Sequence, residues 1–367
     1  MSYIPHSTES PKKNKETTTS AAKGQKLASA IISRGCRERA ATSASPSLVA
    51  KVSDLDFEAS VLAPYGITIQ TKSLTKNLYK HFGLEGLHED PIDRYNAYQR
   101  RLQLRVLLGP GTDRTQNILR EYYSMNIYGC SEAEYSTYAL CEIFRDEPRH
   151  TSLLKTADEC WLPVRMLQLS LKPPLDEWEQ PRPVTKPNKS YDWDISPDCM
   201  YYVSLQAFPL NFRDNVDKYV SVAQTRAFSP YLTIEFKKNG ETANTIRNKV
   251  AAASALALYN RWRLKCAAFQ FMHDGRWSEE HKAQMRHYSI TFVGSKWELW
   301  YTTPKTYDDW SGCSMFSMHR GECSRLDSVE LLLSCVNDLH YWGLMVHGRS
   351  CKADINKIAE GYIHNYS

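Results

Sequence analysis

Ser229–Lys238 reads SPYLTIEFKK, and the way this stretch is understood decides how the rest of the chain is read. Leu232, Ile234 and Phe236 alternate with Thr233, Glu235 and Lys237, the period-two pattern of a strand with two different faces. Glu235 and Lys237 therefore share one face, and Phe236 turns to the other, toward a core. A carboxylate and an ammonium two residues apart at a strand end suit metal binding and the holding of a water, with no loop to order. The same pair equally suits a solvated strand face carrying a weak ion pair. The acid-x-Lys triplet discriminates little by itself, since Glu280-His281-Lys282 has it too.

Working outward, Pro197-Asp198 opens CMYYVSLQAF, a second aromatic and β-branched run expected to be a strand. Downstream, Ala243–Phe269 is Ala-rich with no helix breaker, and HYSITFV-GS-KWELWYTTP joins two alternating runs through Gly294-Ser295, the pattern of a hairpin. A short strand near Met315–Met318 and helices over Asp327–Leu344 and Ala353–Tyr362 complete this half. Upstream, the pattern from Val52 to about Cys130 is helical. NAYQRRLQLRVLL is expected to run as a helix until Gly109-Pro110-Gly111 stops it, and Gln116–Tyr123 to form another. Ser131 and Glu134 have capping-box spacing. Thr151–Leu171 reads as a helix interrupted by Pro163, and the prolines between Lys172 and Asn188 mark a connector.

Charge and composition narrow the function classes. The chain has 367 residues and a formal net charge of +5. Residues 1–50 hold eight bases and three acids, which accounts for all of it; the remainder is neutral, with 38 of each. Binding by bulk charge is thereby excluded for the body of the protein. The first 50 residues, rich in Ser, Thr, Ala and Lys, are expected to be a disordered basic tail. PKKNK within it fits a nuclear-import signal or a plain solvated run. No apolar run is long enough to span a membrane, so no membrane partner is expected. Scattered cysteines without CxxC spacing point to reduced thiols inside the cell, in nucleus or cytoplasm.

SPDCMYYV, SPYLTIEFKK, NKVAAASALALYNR, WSGCSMF and VNDLHYWGLMVHG together resemble a fungal protein family whose core is similar to the PD-(D/E)XK, restriction-endonuclease-like fold. The resemblance covers roughly Asp158 to the C-terminus. It implies an α/β fold with a three-layer αβα core: an acidic helix, a mixed sheet, and a helix after the Glu-x-Lys strand. The organisation expected is a tail over 1–50, a helical region over 51–150 and a nuclease-fold domain over 151–367. The resemblance further implies Asp198 as the Asp of the PD motif, with Glu235 and Lys237 as the acid and lysine of the second motif. Asp198 and Glu235 would ligate Mg²⁺ or Mn²⁺, and Lys237 would position the attacking water. The helix preceding the PD strand often supplies one more acid in this superfamily; Glu159 is the best placed, Asp158 the next. Asn248-Lys249 stands where related sequences carry Asn-Gln. Lys249, with Lys238, is therefore a candidate for contact with nucleic acid, DNA being the expected substrate.

Other signals are weaker. Cys313, His319, Cys323 and Cys335 lie close in sequence but fit no structural zinc spacing. His340 and His347 read as packing histidines. GxSxG, GxGxxG and Walker-type motifs are absent. Arg100, Arg101 and Arg105, interleaved with Tyr95 and Tyr98, fit a nucleic-acid face or simply the wet side of an amphipathic helix. Three functions stay open on these residues: a metal-dependent nuclease, a non-catalytic scaffold on the same fold (an effector or genome-defence component), and a helical adaptor acting through residues 52–150.

Overall fold

A computed structural model gives the fold and describes residues 49–71, 90–148, 160–172, 178–240, 242–272 and 275–366. The expectations for the basic tail, save at residues 49 and 50, and for Asp158 and Glu159 lie outside the described residues.

Among the described residues the protein is α/β, with eight α-helices and a mixed eight-stranded sheet. The strands are β1 (Thr68–Gln70), β2 (Pro163–Leu167), β3 (Cys199–Ser204), β4 (Val222–Ala223), β5 (Ala227–Lys237), β6 (His287–Val293), β7 (Lys296–Pro304) and β8 (Cys313–Glu322). They are ordered β1-β8-β7-β6-β5-β3-β2, with β4 paired to β5. β5 runs parallel to β6 and β1 parallel to β8; the other pairs are antiparallel. The helices are α1 (Pro91–Leu102), α2 (Thr112–Tyr128), α3 (Glu132–Glu142), α4 (Leu210–Arg213), α5 (Ala243–Phe269), α6 (Glu279–Gln284), α7 (Leu326–Trp342) and α8 (Arg349–Tyr366).

Alternation along the strands divides the core in two. On β3, Cys199, Tyr201 and Val203 enter one apolar layer, while Met200 and Tyr202 enter the other. The first layer gathers side chains of α1, α2, α3 and α7 against the sheet. The second is built largely on α5, whose Ala251, Ala252, Ala253, Ala255 and Ala257 let the helix lie close to the strands. β5 to β6 is a parallel step, which needs a long crossover, and α5 supplies it.

Several boundaries differ from expectation. Helix α1 stops at Leu102, not at Gly109, because Gln103 turns left-handed at φ 52°. Beyond it, the Arg105 and Val106 amides donate to the Glu147 carboxylate at 2.8 and 3.2 Å, holding the chain out of helical form. The segment expected as a kinked helix over Thr151–Leu171 contains strand β2. Pro163 lacks an amide proton, and at the first position of an outer strand none is needed. The region from Val52 to Cys130 contains strand β1, which pairs with β8, and its helices share a core with the sheet. Residues 47–367 form one compact unit.

Candidate functional site

One step beyond the Cys199–Ile234 register pair of β3 and β5 stand Asp198 and Glu235. Both strands deliver their carboxylates to the face covered by α5, because Met200 and Thr233, their same-face neighbours, pair there. Asp198 Oδ2 accepts the Phe236 amide at 2.8 Å, which fixes the aspartate across the strand end. Glu235 is fully buried. The first turns of α5 lower Lys249 onto the pair: its Nζ lies 2.7 Å from Glu235 Oε2 and 3.6 Å from Asp198 Oδ1.

Two carboxylates against one ammonium leave an excess of negative charge beside the buried Glu235, with Asp198 and Lys249 partly exposed. Glu235 is held well above its ordinary range, first by desolvation and then by the neighbouring Asp198 charge, with Lys249 pulling the other way. Its second oxygen, Oε1, is buried, and no hydrogen-bond donor among the described residues reaches it. The arrangement can therefore do one of two things: hold a proton between the two acids, or accept a second cation.

The other expected site residues fall as follows. Lys237, at the end of β5, reaches Glu132 Oε1 at 2.8 Å, at the start of α3. The ammonium seated on both carboxylates is that of Lys249, which the sequence offered only as a nucleic-acid contact. Lys238 is exposed just past the strand end. Asn248 is buried and donates to the Val52 carbonyl at 3.2 Å. Glu280-His281-Lys282 lies on helix α6 and not on a strand.

Histidines 340 and 347 are buried among apolar and ring side chains. His340 Nδ1 is 2.9 Å from the Tyr231 hydroxyl, and His347 Nε2 is 3.6 Å from Cys351 Sγ. Cys313 belongs to one core layer, Cys323 and Cys335 to the other. Among the described residues, no group of three or more His, Cys, Asp or Glu side chains is placed to share a metal. Of the Arg-Tyr set, Tyr98 is buried, donates to Asp338 at 2.8 Å and stacks on Tyr341, whereas Arg100, Arg101 and Arg105 are exposed, Arg101 donating to the Tyr341 hydroxyl at 2.8 Å. No helix among the described residues is long and apolar enough to cross a membrane.

No family model, curated protein or solved structure matches the chain.

Proposed function

We propose that the chain is a divalent-metal phosphodiester hydrolase of the restriction-endonuclease-like kind, acting on DNA, with the Asp198–Glu235 pair as its metal-binding acids. The observation that carries this reading is the buried Glu235 oxygen left without a donor beside a second carboxylate. A mixed sheet with helices on both faces, and a long helix directly after the Glu-x-Lys strand, agree with such a core.

The donor set fits the group. Mg²⁺ takes hard oxygens and is commonly held by one or two carboxylates, with water and substrate phosphate completing its shell. When bound, such an ion supplies Lewis acidity to the scissile phosphate and makes a water more acidic. Asp198 and Glu235 would hold it from adjacent strands, and the Phe236 amide would keep Asp198 oriented. Lys249, a fifth exposed at its side chain, would leave its 2.7 Å contact with Glu235 and turn toward the phosphate, where an ammonium offsets developing negative charge. Lys237 would remain with Glu132 at the strand end and hold the edge of the site.

A second reading has its own observation. Lys249 already contacts both carboxylates, so with one proton on Glu235 the cluster is electrically closed and needs no metal. On that reading the fold is a scaffold without catalysis. Cleavage of supercoiled plasmid with Mg²⁺ or Mn²⁺ separates the two. The nuclease reading expects nicking that falls at least about 100-fold in Asp198→Asn and in Glu235→Gln. Wild-type protein without cleavage on plasmid or single-stranded DNA, or cleavage unchanged in both variants, removes the pair from the mechanism.

A further inference from the structure

A second charged cluster lies toward the other end of α5, where the imbalance has the opposite sign. Arg261 and Lys265, one turn apart, both converge on Asp354 of α8: Arg261 Nη1 is 2.7 Å from Oδ2 and Lys265 Nζ is 2.6 Å from Oδ1. All three side chains are at most 5% exposed, so solvent neutralises none of them. Arg261 also donates to Ser350 Oγ at 2.7 Å, while its Nε is buried and meets no acceptor among the described residues. Arginine keeps its proton in any protein environment, so it cannot relieve the excess itself. The Cys351 thiol close by does not supply the missing anion, because burial raises its pKa.

Lys265 and Ser350 line a cleft of about 580 Å³ between α5, α6 and the start of α8. Trp342, Met345 and Val346 give it an apolar wall, and Arg349 stands exposed on its lining. Glu280, the carboxylate on its lining, is exposed and accepts a hydrogen bond from Gln284 at 3.1 Å, so water screens its charge.

We propose that this cleft binds a small organic anion, with a carboxylate or phosphate head set against Lys265 and Ser350 and an apolar body against Trp342, Met345 and Val346. The head completes the charge balance that Asp354 leaves at one negative against two positive, and the apolar wall selects a ring-sized or branched body over a bare inorganic ion. This site is independent of the Asp198–Glu235 pair and does not depend on nuclease activity.

The test uses the full chain and four probes: benzoate, phenyl phosphate and neutral benzamide, which share the ring, and inorganic phosphate, which lacks it. Calorimetric titration and thermal unfolding should show binding by benzoate or phenyl phosphate, with a rise in Tm that grows with concentration. Benzamide should bind at least tenfold more weakly, and inorganic phosphate more weakly than phenyl phosphate. Lys265→Met should weaken the organic anion at least tenfold. Arg349→Gln, at an exposed position on the cleft lining, should weaken it severalfold. Equal affinity for benzoate and benzamide, no binding by either organic anion, or unaltered binding in Lys265→Met would each overturn the proposal. The comparison of benzoate with benzamide decides the matter on wild-type protein even if Lys265→Met does not fold.

Discussion

Helix α5 carries two charge clusters that are opposites. Near its N-terminus, Lys249 answers two carboxylates, Asp198 and Glu235; near its C-terminus, Arg261 and Lys265 answer one, Asp354. A third site shows what balance looks like: Arg94 and Asp338, both buried, pair one to one at 3.1 Å, with the Tyr98 hydroxyl as an added donor. The acid-rich cluster has a cheap way out, since Glu235 can keep its proton. The base-rich cluster has less room. Burial and Arg261 push Lys265 downward, but Asp354 pulls it back and Arg261 stays charged. The place for a ligand is beside the imbalance that side-chain protonation relieves least.

The largest expected effect comes from removing the single acid of the base-rich cluster. Asp354→Asn leaves two buried cations without a counter-charge and should cost about 3–5 kcal/mol in urea unfolding. Asp338→Asn, which strands Arg94, is the control of similar size. A cost below about 1 kcal/mol for Asp354→Asn would mean that the cluster is not doubly charged, and the contrast between the two ends of α5 would fail.

Next in size is the response to acid, in which buried histidines and Glu235 act with opposite signs. Desolvation holds His287 and His340 down to about 3, from an ordinary 6.5. Their folded forms stay neutral while the unfolded chain takes up protons, so stability present above pH 6.5 is lost as pH falls toward 3. At pH 5 the loss is about 2 kcal/mol for each. Glu235 is raised, so its contribution is present below its ordinary 4.5 and lost as pH rises through the raised value. Urea unfolding at pH 7 and pH 5 should show wild type losing stability, His340→Gln losing about 2 kcal/mol less, and Glu235→Gln losing more than wild type. A Glu235→Gln profile parallel to wild type would show that the acid-rich cluster holds no extra proton.

These clusters were unequally legible in the sequence. The strand positions of Asp198 and Glu235 could be read from period-two alternation, a local rule, while their pairing as a site rested on the resemblance to the PD-(D/E)XK fold; the hairpin of β6 and β7 was readable to its ends from alternation and its Gly-Ser turn. Gly294, at φ 58°, supplies the left-handed turn that the two-residue connection requires. Helix α5 was readable because nothing in it breaks a helix. Strand β1 was not, because three residues owe their extended form to pairing with β8 in a distant part of the chain. The position of Lys249 over the carboxylates depends on how α5 crosses the sheet, which no periodicity encodes. Arg261 and Lys265 did leave a signal: two cations one turn apart among alanines repel on a wet surface, so the spacing asks for a buried acid. Which acid answers is a matter of tertiary packing with α8.

The sharpest contrast of moderate size is one substitution made at both ends of α5. Lys249→Met uncovers two carboxylates and should destabilise by about 1–3 kcal/mol at pH 7, with part of the cost recovered at pH 5 as a carboxyl takes up a proton. Lys265→Met removes the surplus cation, leaves Arg261 with Asp354 as a one-to-one pair, and should be neutral or stabilising by up to about 1 kcal/mol. Opposite signs in the same denaturation assay support the stoichiometry on which both site readings rest. Equal destabilisation would mean that packing of the lysine stems, and not charge count, governs both places.

The smallest effect separates the two lysines at the acid-rich end. Lys237 and Glu132 are 20% and 35% exposed at their side chains, so water and salt screen their 2.8 Å pair. Lys237→Met should cost no more than about 1 kcal/mol, and the difference should shrink as salt is raised. Lys249→Met should keep most of its cost in salt, because Glu235 is sealed from solvent. The same two variants bear on the function. If the ammonium nearest the acids is the one that serves the phosphate, plasmid nicking should fall at least about tenfold in Lys249→Met and much less in Lys237→Met. The reverse order would return the role to the lysine of the strand, and would mean that Lys237 leaves Glu132 when DNA is bound.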